Sequence, residues 1–343
     1  MNAGDVLKGK VAVVTGSGQG IGRAIALGMA REGAKVVTNN RRRGSTDKAI
    51  VNDSLFDRLS EDKKRWLQER IEDAKGDAES TARTIRELGG EALPFFGDIA
   101  DFQVAEKLIR TALDGFGKID ILVNVAGTFG FSPIWEMTEE MWDHVTRTKP
   151  KGYFNTMRHA IPHMMKQEWG RIINCTSRAF TGDALRHAEY SSANAGVVGL
   201  TKAAAKELVG YGITCNTFAP LGRTRASFEL DAFVMAAGEG KNPWLDKRWE
   251  FPMDKAPASD LIAPFIIYLA SDAAAKVSGS VFDIGGNSIG LFSEPEITKN
   301  LVKAGEPWTV SEIIHLAPVT LLAGYRGIGE IEYSVPPSDE EKS

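Results

Sequence analysis

Ser177 and Tyr190 stand thirteen residues apart, with Asn194 four residues beyond the tyrosine and Lys149 forty-one residues before it. Reduction of a ketone needs a proton donor as hydride arrives, and a tyrosine at this spacing is a candidate. A phenol with an unperturbed pKa of about 10 is a poor acid–base group near neutrality, so it needs help from its surroundings. A neutral amide such as that of Asn194 forms hydrogen bonds but brings no charge. An ammonium about 4 Å away contributes about 4 kcal/mol at an effective dielectric of about 20.

Strand-like apolar runs alternate with helical patterns and must position these groups. Strands are predicted at Lys10–Val14, Ala34–Thr38, Ala92–Phe96, Ile119–Asn124, Gly170–Cys175, Ile213–Phe218 and Ser280–Ile284. Helices are predicted at Ile21–Glu32, Ala78–Leu88, Phe102–Phe116, Glu139–Gln167, Tyr190–Leu208 and Ser259–Leu269. This βα rhythm predicts an α/β fold with a parallel sheet covered by helices on both faces. Residues 44–76 read as an insertion carrying a charged amphipathic helix that starts at Ser60 and puts Leu67, Ile71 and Ala74 on one face. Residues 226–257 have no clean period, carry Trp244 and Trp249, and read as a mobile lid or substrate loop.

The segment Thr15-Gly16-Ser17-Gly18-Gln19-Gly20-Ile21-Gly22 joins the first strand to the first helix. Glycine permits the tight turn and lets backbone N–H groups approach a pyrophosphate, while the helix N-terminus adds the positive end of a dipole. In a strand–loop–helix setting this is a dinucleotide-binding signal, and Gly16, Ser17, Gln19, Gly20, Ile21 and Gly22 are its candidate residues. Asp98 with Ile99, and Asn124 with Ala126 and Gly127, follow strand carboxyl ends, where open parallel sheets bind ligands. The second strand ends in Asn39-Asn40-Arg41-Arg42-Arg43, with no carboxylate for a ribose 2′-hydroxyl. Asn40 and Arg41 are therefore candidate cofactor contacts, and a guanidinium there leans to NADP(H) over NAD(H).

With these residues in place the chain resembles the short-chain dehydrogenase/reductase family over residues 8–290, apart from the insertion. The resemblance implies a doubly wound, Rossmann-type sheet of about seven strands and conversion between a ketone and a secondary alcohol with NAD(P)(H). It implies that Asp98 contacts adenine and that the turn from Asn124 to Gly127 lies against the adenosine ribose. It also implies that Pro220, Gly222 and Thr224 belong to the segment holding the nicotinamide carboxamide. Ser177 then orients the carbonyl and Tyr190 is the acid/base. In the family a lysine follows that tyrosine by four residues, and here Asn194 stands there. The fourth catalytic residue of the family is an asparagine on an earlier helix, at the place Lys149 holds. Two readings stay open: the lysine and asparagine have traded places with function kept, or the site is degenerate and the chain is a silent subunit partnering an active dehydrogenase.

The stretch after Gly285-Gly286, with Gly290-Leu291-Phe292 and Pro307-Trp308-Thr309, resembles the extension in (3R)-hydroxyacyl-CoA dehydrogenase units of peroxisomal multifunctional enzymes. That resemblance implies a 3-oxoacyl-CoA/3-hydroxyacyl-CoA pair, and a homodimer or homotetramer, with a hetero-oligomer as the alternative. The expected organisation is one catalytic domain over 1–290 and an extension over 291–343 with a polar, disordered end.

The bulk numbers narrow the partners. Hydrophobic content of 43%, charged content of 25% and net charge of −4 describe an ordinary globular chain without a nucleic-acid partner. Cys175 and Cys215 sit in apolar segments and read as buried free thiols; no cysteine/histidine cluster predicts a metal. With no signal-peptide pattern and no run of about 18 uncharged apolar residues, a cytoplasmic protein off the membrane is expected.

Overall fold

The computed structural model describes residues 5–44, 50–51, 57–182, 186–237 and 255–325. Its sheet is built from apolar runs short enough to be strands, and the central ones are buried on both faces. The strands are β1 (Val11–Val14), β2 (Lys35–Asn40), β4 (Ala92–Phe96), β5 (Ile121–Asn124), β7 (Gly170–Cys175), β8 (Ile213–Leu221), β9 (Val281–Gly285) and β10 (Ser288–Leu291). They lie in the order β10-β9-β8-β7-β5-β1-β2-β4. All neighbours are parallel except the β9–β10 pair. The sheet thus has eight strands rather than the expected seven. The chain reverses at Gly286, whose φ of +58 suits glycine, and β10 returns antiparallel with Ile289 opposite Ile284.

Helices cover both faces. On one, α1 (Gly20–Arg31) and α9 (Ala263–Ala270) bury Ile25, Met29, Ile266 and Leu269. On the other, α4 (Phe102–Phe116), α6 (Gly152–Gln167) and α7 (Ala188–Leu208) bury Leu108, Met157, Val197 and Leu208. The remaining helices are α2 (Glu61–Asp73), α3 (Ala78–Glu87), α5 (Glu139–Thr146), α8 (Arg225–Ala237) and α10 (Val310–Leu316). Strand order reverses between β1 and β5, and that switch point lies at the carboxyl ends where the site residues gather.

Two elements differ from the sequence expectations in ways that shape the site. The long helix predicted over Glu139–Gln167 is interrupted between α5 and α6 by a π-helical turn, Arg147–Lys151. Pro150 has no N–H to give the ladder, and the wider turn absorbs its ring. The loop predicted from residue 226 begins instead as α8. Ala226, Phe228, Leu230, Ala232 and Phe233 all join one apolar cluster, while Arg225, Ser227, Glu229 and Asp231 between them are buried too, so the helix shows no single apolar stripe. Residues 238–254, including Trp244 and Trp249, lie outside the described part.

The insertion folds back over the same region. Ser60 caps α2 by accepting the Lys63 amide, and Leu67 is buried against the cluster of α8 with Phe129 and Phe131. Trp66 packs edge-on to Phe228 at 6.0 Å. A short parallel pair, β3 (Ile50–Val51) with β6 (Gly130–Phe131), ties the insertion to the loop after β5.

Residues Met1–Phe292 form one compact unit and Ser293–Ser343 a second. In the second, Thr309 and Glu312 form a capping box at α10, and Glu312 takes an ion pair from Lys303. The polar end from Pro336 lies outside the described residues. No described helix is long and apolar enough to cross a membrane.

Candidate active site

Lys149 sits in the π-helical turn and is 2% exposed. Its ammonium donates to Asn194 Oδ1 at 2.6 Å and to the Cys175 carbonyl at 3.0 Å. Asn194, fully buried on α7, donates through Nδ2 to the Tyr190 carbonyl at 2.7 Å. Its own carbonyl accepts from Thr176 Oγ1 at 3.0 Å. The Lys149 Nζ lies 5.4 Å from the centroid of the Tyr190 ring, within cation–π range. An ammonium carries three donors, and two are spent on these carbonyl oxygens.

The lysine stem needs room to reach this point, and Gly127 supplies it: a Cβ there would stand 3.0 Å from Lys149 Cε. Two tyrosines flank the ammonium. Tyr153, four residues after Lys149, is fully buried 6.0 Å from Nζ and donates its hydroxyl to the Ala126 carbonyl at 2.9 Å. Burial pushes its phenol well above the usual range, with smaller contributions from Cys175 and Tyr190. It stays protonated and engaged, which leaves half-buried Tyr190 as the phenol open to a substrate. Sequence reasoning missed Tyr153; its position one turn beyond Lys149 was the available signal.

Ser177 follows β7 and caps the 3-10 turn Arg178–Thr181, its Oγ accepting from the Ala179 amide at 3.3 Å. That turn packs against α7, on whose first turn Tyr190 sits. Cys175 is buried, and burial raises its thiol pKa against the opposing pull of the Lys149 ammonium.

The glycine-rich loop closes onto the turn after β5. Gly16 has φ +63, and a Cβ there would meet Ala126 Cα at 2.7 Å, so only glycine fits. Thr15 Oγ1 accepts from the amides of Val125 at 3.0 Å and Ala126 at 3.2 Å, which locks the two segments together. Gln19 stands at the N-cap of α1 without a side-chain capping bond, and no acidic residue occupies the first turn. By contrast Ser60, Asp77, Asp101 and Thr138 cap α2 to α5. An open helix start with tight glycine packing and a buried, unpartnered Gln19 Oε1 fits a nucleotide pyrophosphate. Gly20 and Ile21 border Thr224 and Gly222 respectively, so the loop meets the end of β8 beyond Pro220. Gly22 packs on the Gly16 carbonyl.

Other candidates turn inward. Ser17 is fully buried; its hydroxyl donates to the Val14 carbonyl at 2.7 Å and accepts the Asn39 amide at 2.9 Å. Asn124 donates to Asn174 Oδ1 at 2.9 Å and accepts from Thr156 Oγ1 at 2.8 Å. Asp98 accepts the Ala100 amide at 2.9 Å, and the Ile99 carbonyl accepts from Asn155 Nδ2 at 2.9 Å. Asn40 ends β2 with its Oδ1 buried and unpartnered, and Arg41 follows half-buried. Arg43 lies over the Phe96 ring at 4.7 Å.

A doubly wound sheet whose switch point opens beside a buried ammonium and an accessible phenol is the arrangement of nucleotide-dependent dehydrogenases. The family model described as short chain dehydrogenase matches residues 10–54 and 59–228, and the chain belongs to that family of NAD(P)-dependent oxidoreductases. It is 30% identical over 315 residues to the hydroxyacyl-CoA dehydrogenase ChsB1 of Mycobacterium tuberculosis, covering 90% of this chain and 87% of that one. It is 32% identical over 278 residues to the 3-oxoacyl-[acyl-carrier-protein] reductase FabG of Staphylococcus epidermidis, covering 81% of this chain and 98% of that one. A crystal structure of a short chain dehydrogenase from Mycobacterium avium superposes with a TM-score of 0.71 at 30% identity, covering 96% of this chain and 98% of that chain.

Proposed function

We propose that the protein interconverts a 3-oxoacyl thioester and its 3-hydroxyacyl counterpart, with Lys149 serving as the cation of the site in place of the lysine expected at position 194. The observation that carries this reading is the Lys149 ammonium, held 2.6 Å from Asn194 Oδ1 and 5.4 Å from the Tyr190 ring. The cofactor supplies or accepts hydride. Ser177 holds the carbonyl oxygen, and Tyr190 gives it a proton in the reductive direction. The buried ammonium stabilises the negative charge left on the phenol oxygen, more strongly than it would in water. The Asn194 amide, one turn after Tyr190 on α7, orients the ribose beside it. Two relatives named for acyl-thioester substrates support that substrate class.

The loop from Gly16 to Gly22 holds the pyrophosphate at the open start of α1. The absence of a carboxylate at Asn39 and Asn40, followed by Arg41, favours NADP(H). A homodimer or homotetramer in the cytoplasm completes the reading. The β10 edge, where Ile289 is 54% and Leu291 67% exposed, supports the self-association.

Purified protein, assayed separately with NADH and NADPH against acetoacetyl-CoA and simple ketones, tests the reading. Cofactor oxidation that disappears in Tyr190→Phe is the expected result. No turnover with either cofactor would instead favour a silent subunit, to be sought together with an active dehydrogenase.

A further inference from the structure

His187, three residues before Tyr190, is 5% exposed. Its ring packs edge-on to Phe129 and Phe131, at 5.5 and 5.2 Å between centroids, and stands 5.9 Å from the Tyr190 ring. Glu189 is fully buried. Its Oε1 accepts the Gly130 amide at 2.8 Å and lies 3.7 Å from His187 Nδ1. Glu189 Oε2 and His187 Nδ1 have no hydrogen-bond partner. A buried carboxylate with one hydrogen bond is costly, and an apolar side chain of similar size would fill the same volume better. Packing alone does not call for an acid and an imidazole against the catalytic tyrosine.

We propose that His187, oriented by Glu189, is a specificity residue that binds a second oxygen of the substrate: the thioester carbonyl of a 3-oxoacyl unit. The proposal rests on the functional reading above and deepens it. A proton held between Glu189 and Nδ1 fixes the ring, which offers Nε2–H to the substrate, and ligand binding draws the 3.7 Å contact tighter. In a 3-oxoacyl thioester the two carbonyl groups flank a single methylene. Neighbouring donors on Tyr190 and His187 suit two oxygens so joined, whereas a simple ketone gives His187 nothing to hold. The aromatic walls from Phe129 and Phe131 exclude water and strengthen that hydrogen bond.

The test compares acetoacetyl-CoA with cyclohexanone in wild type, His187→Ala, His187→Gln and Glu189→Gln. In His187→Ala, kcat/KM for acetoacetyl-CoA should fall about thirty-fold, mainly through KM, as expected when a buried hydrogen bond to the substrate is lost. The value for cyclohexanone should stay within about threefold. His187→Gln keeps an N–H donor and should recover much of the loss. Equal losses on both substrates, or no loss on either, would overturn the proposal. Calorimetric binding of acetoacetyl-CoA to Tyr190→Phe, with and without His187→Ala, separates the two readings. Weaker binding in the double variant supports recognition by His187 even where the parent protein shows no turnover; equal binding overturns it.

Discussion

The Lys149 ammonium and the Asn194 amide oxygen are 2.6 Å apart, although forty-five residues separate them in sequence. The lysine and the asparagine therefore form one hydrogen-bonded unit beside Tyr190, with the charge on the α5–α6 turn and the amide on α7. This arrangement holds the Lys149 ammonium out of solvent. Burying it costs several kcal/mol unless its protons are bonded. Here the Cys175 carbonyl and Asn194 Oδ1 meet two of them.

Lys149→Met should lower kcat at least about 100-fold, the usual scale for acid–base assistance, while cofactor affinity changes little. Asn194→Lys would crowd two ammonium groups and should also lower activity. The double exchange Lys149→Asn/Asn194→Lys removes that repulsion and should regain at least about tenfold over either single variant, because the two residues are coupled. Steady-state kinetics on wild type, Lys149→Asn, Asn194→Lys and the double exchange form a complete cycle. Additive losses would show that the residues do not act as a unit.

Arg41→Ala addresses cofactor choice. A guanidinium on a 2′-phosphate makes charge-assisted bonds, so NADPH affinity should fall about tenfold to a hundredfold while NADH affinity holds. Fluorescence titration of each reduced cofactor measures this without any substrate. An equal effect on both cofactors would place Arg41 outside the 2′ subsite.

The sheet and the strand–loop–helix unit at Gly16 to Gly22 were legible because short apolar runs, glycine spacing and helix starts are local signals. Helix α2 was legible for the same reason, since Ser60 and the Leu67/Ile71 face mark it directly. Helix α8 was not, because its apolar residues are spread around it and only docking against Phe129, Phe131 and Leu67 makes it a helix. The returning strand β10 was hidden by its exposed alternate residues, Ile289 and Leu291. The partners of Lys149 are contacts across long stretches of chain, so the sequence offered the exchange of residue types but not the hydrogen bond. His187 and Glu189 drew no attention in sequence, since a lone histidine or glutamate is usually solvated.

The insertion carries weight through one side chain. Leu67 is 3% exposed in the cluster that α2 shares with α8, and Leu67→Ala should cost about 2–4 kcal/mol, the range for a buried leucine. Urea unfolding with an unchanged slope reads that cost directly. A midpoint equal to wild type would mean that α2 is not part of the cooperative unit.

Cys215 gives a pH dependence of known sign. It is fully buried between β7 and β9 among Ile172, Ile213 and Leu208, and burial pushes its thiol pKa up to about 12, opposed by a hydrogen bond with Thr201. The unfolded thiol titrates near its ordinary value of about 9.0. Between those values the unfolded chain loses its proton and the folded chain keeps it. The contribution to stability is therefore complete below pH about 9 and lost as pH rises toward about 12. Cys215→Ala removes this component, so the fall in denaturation midpoint from pH 8 to pH 10 should be smaller than in wild type. The native thiol should also resist alkylation at pH 9 and react once guanidinium unfolds the chain. Rapid labelling of native Cys215 would show that the strand interior opens on the time scale of the reagent.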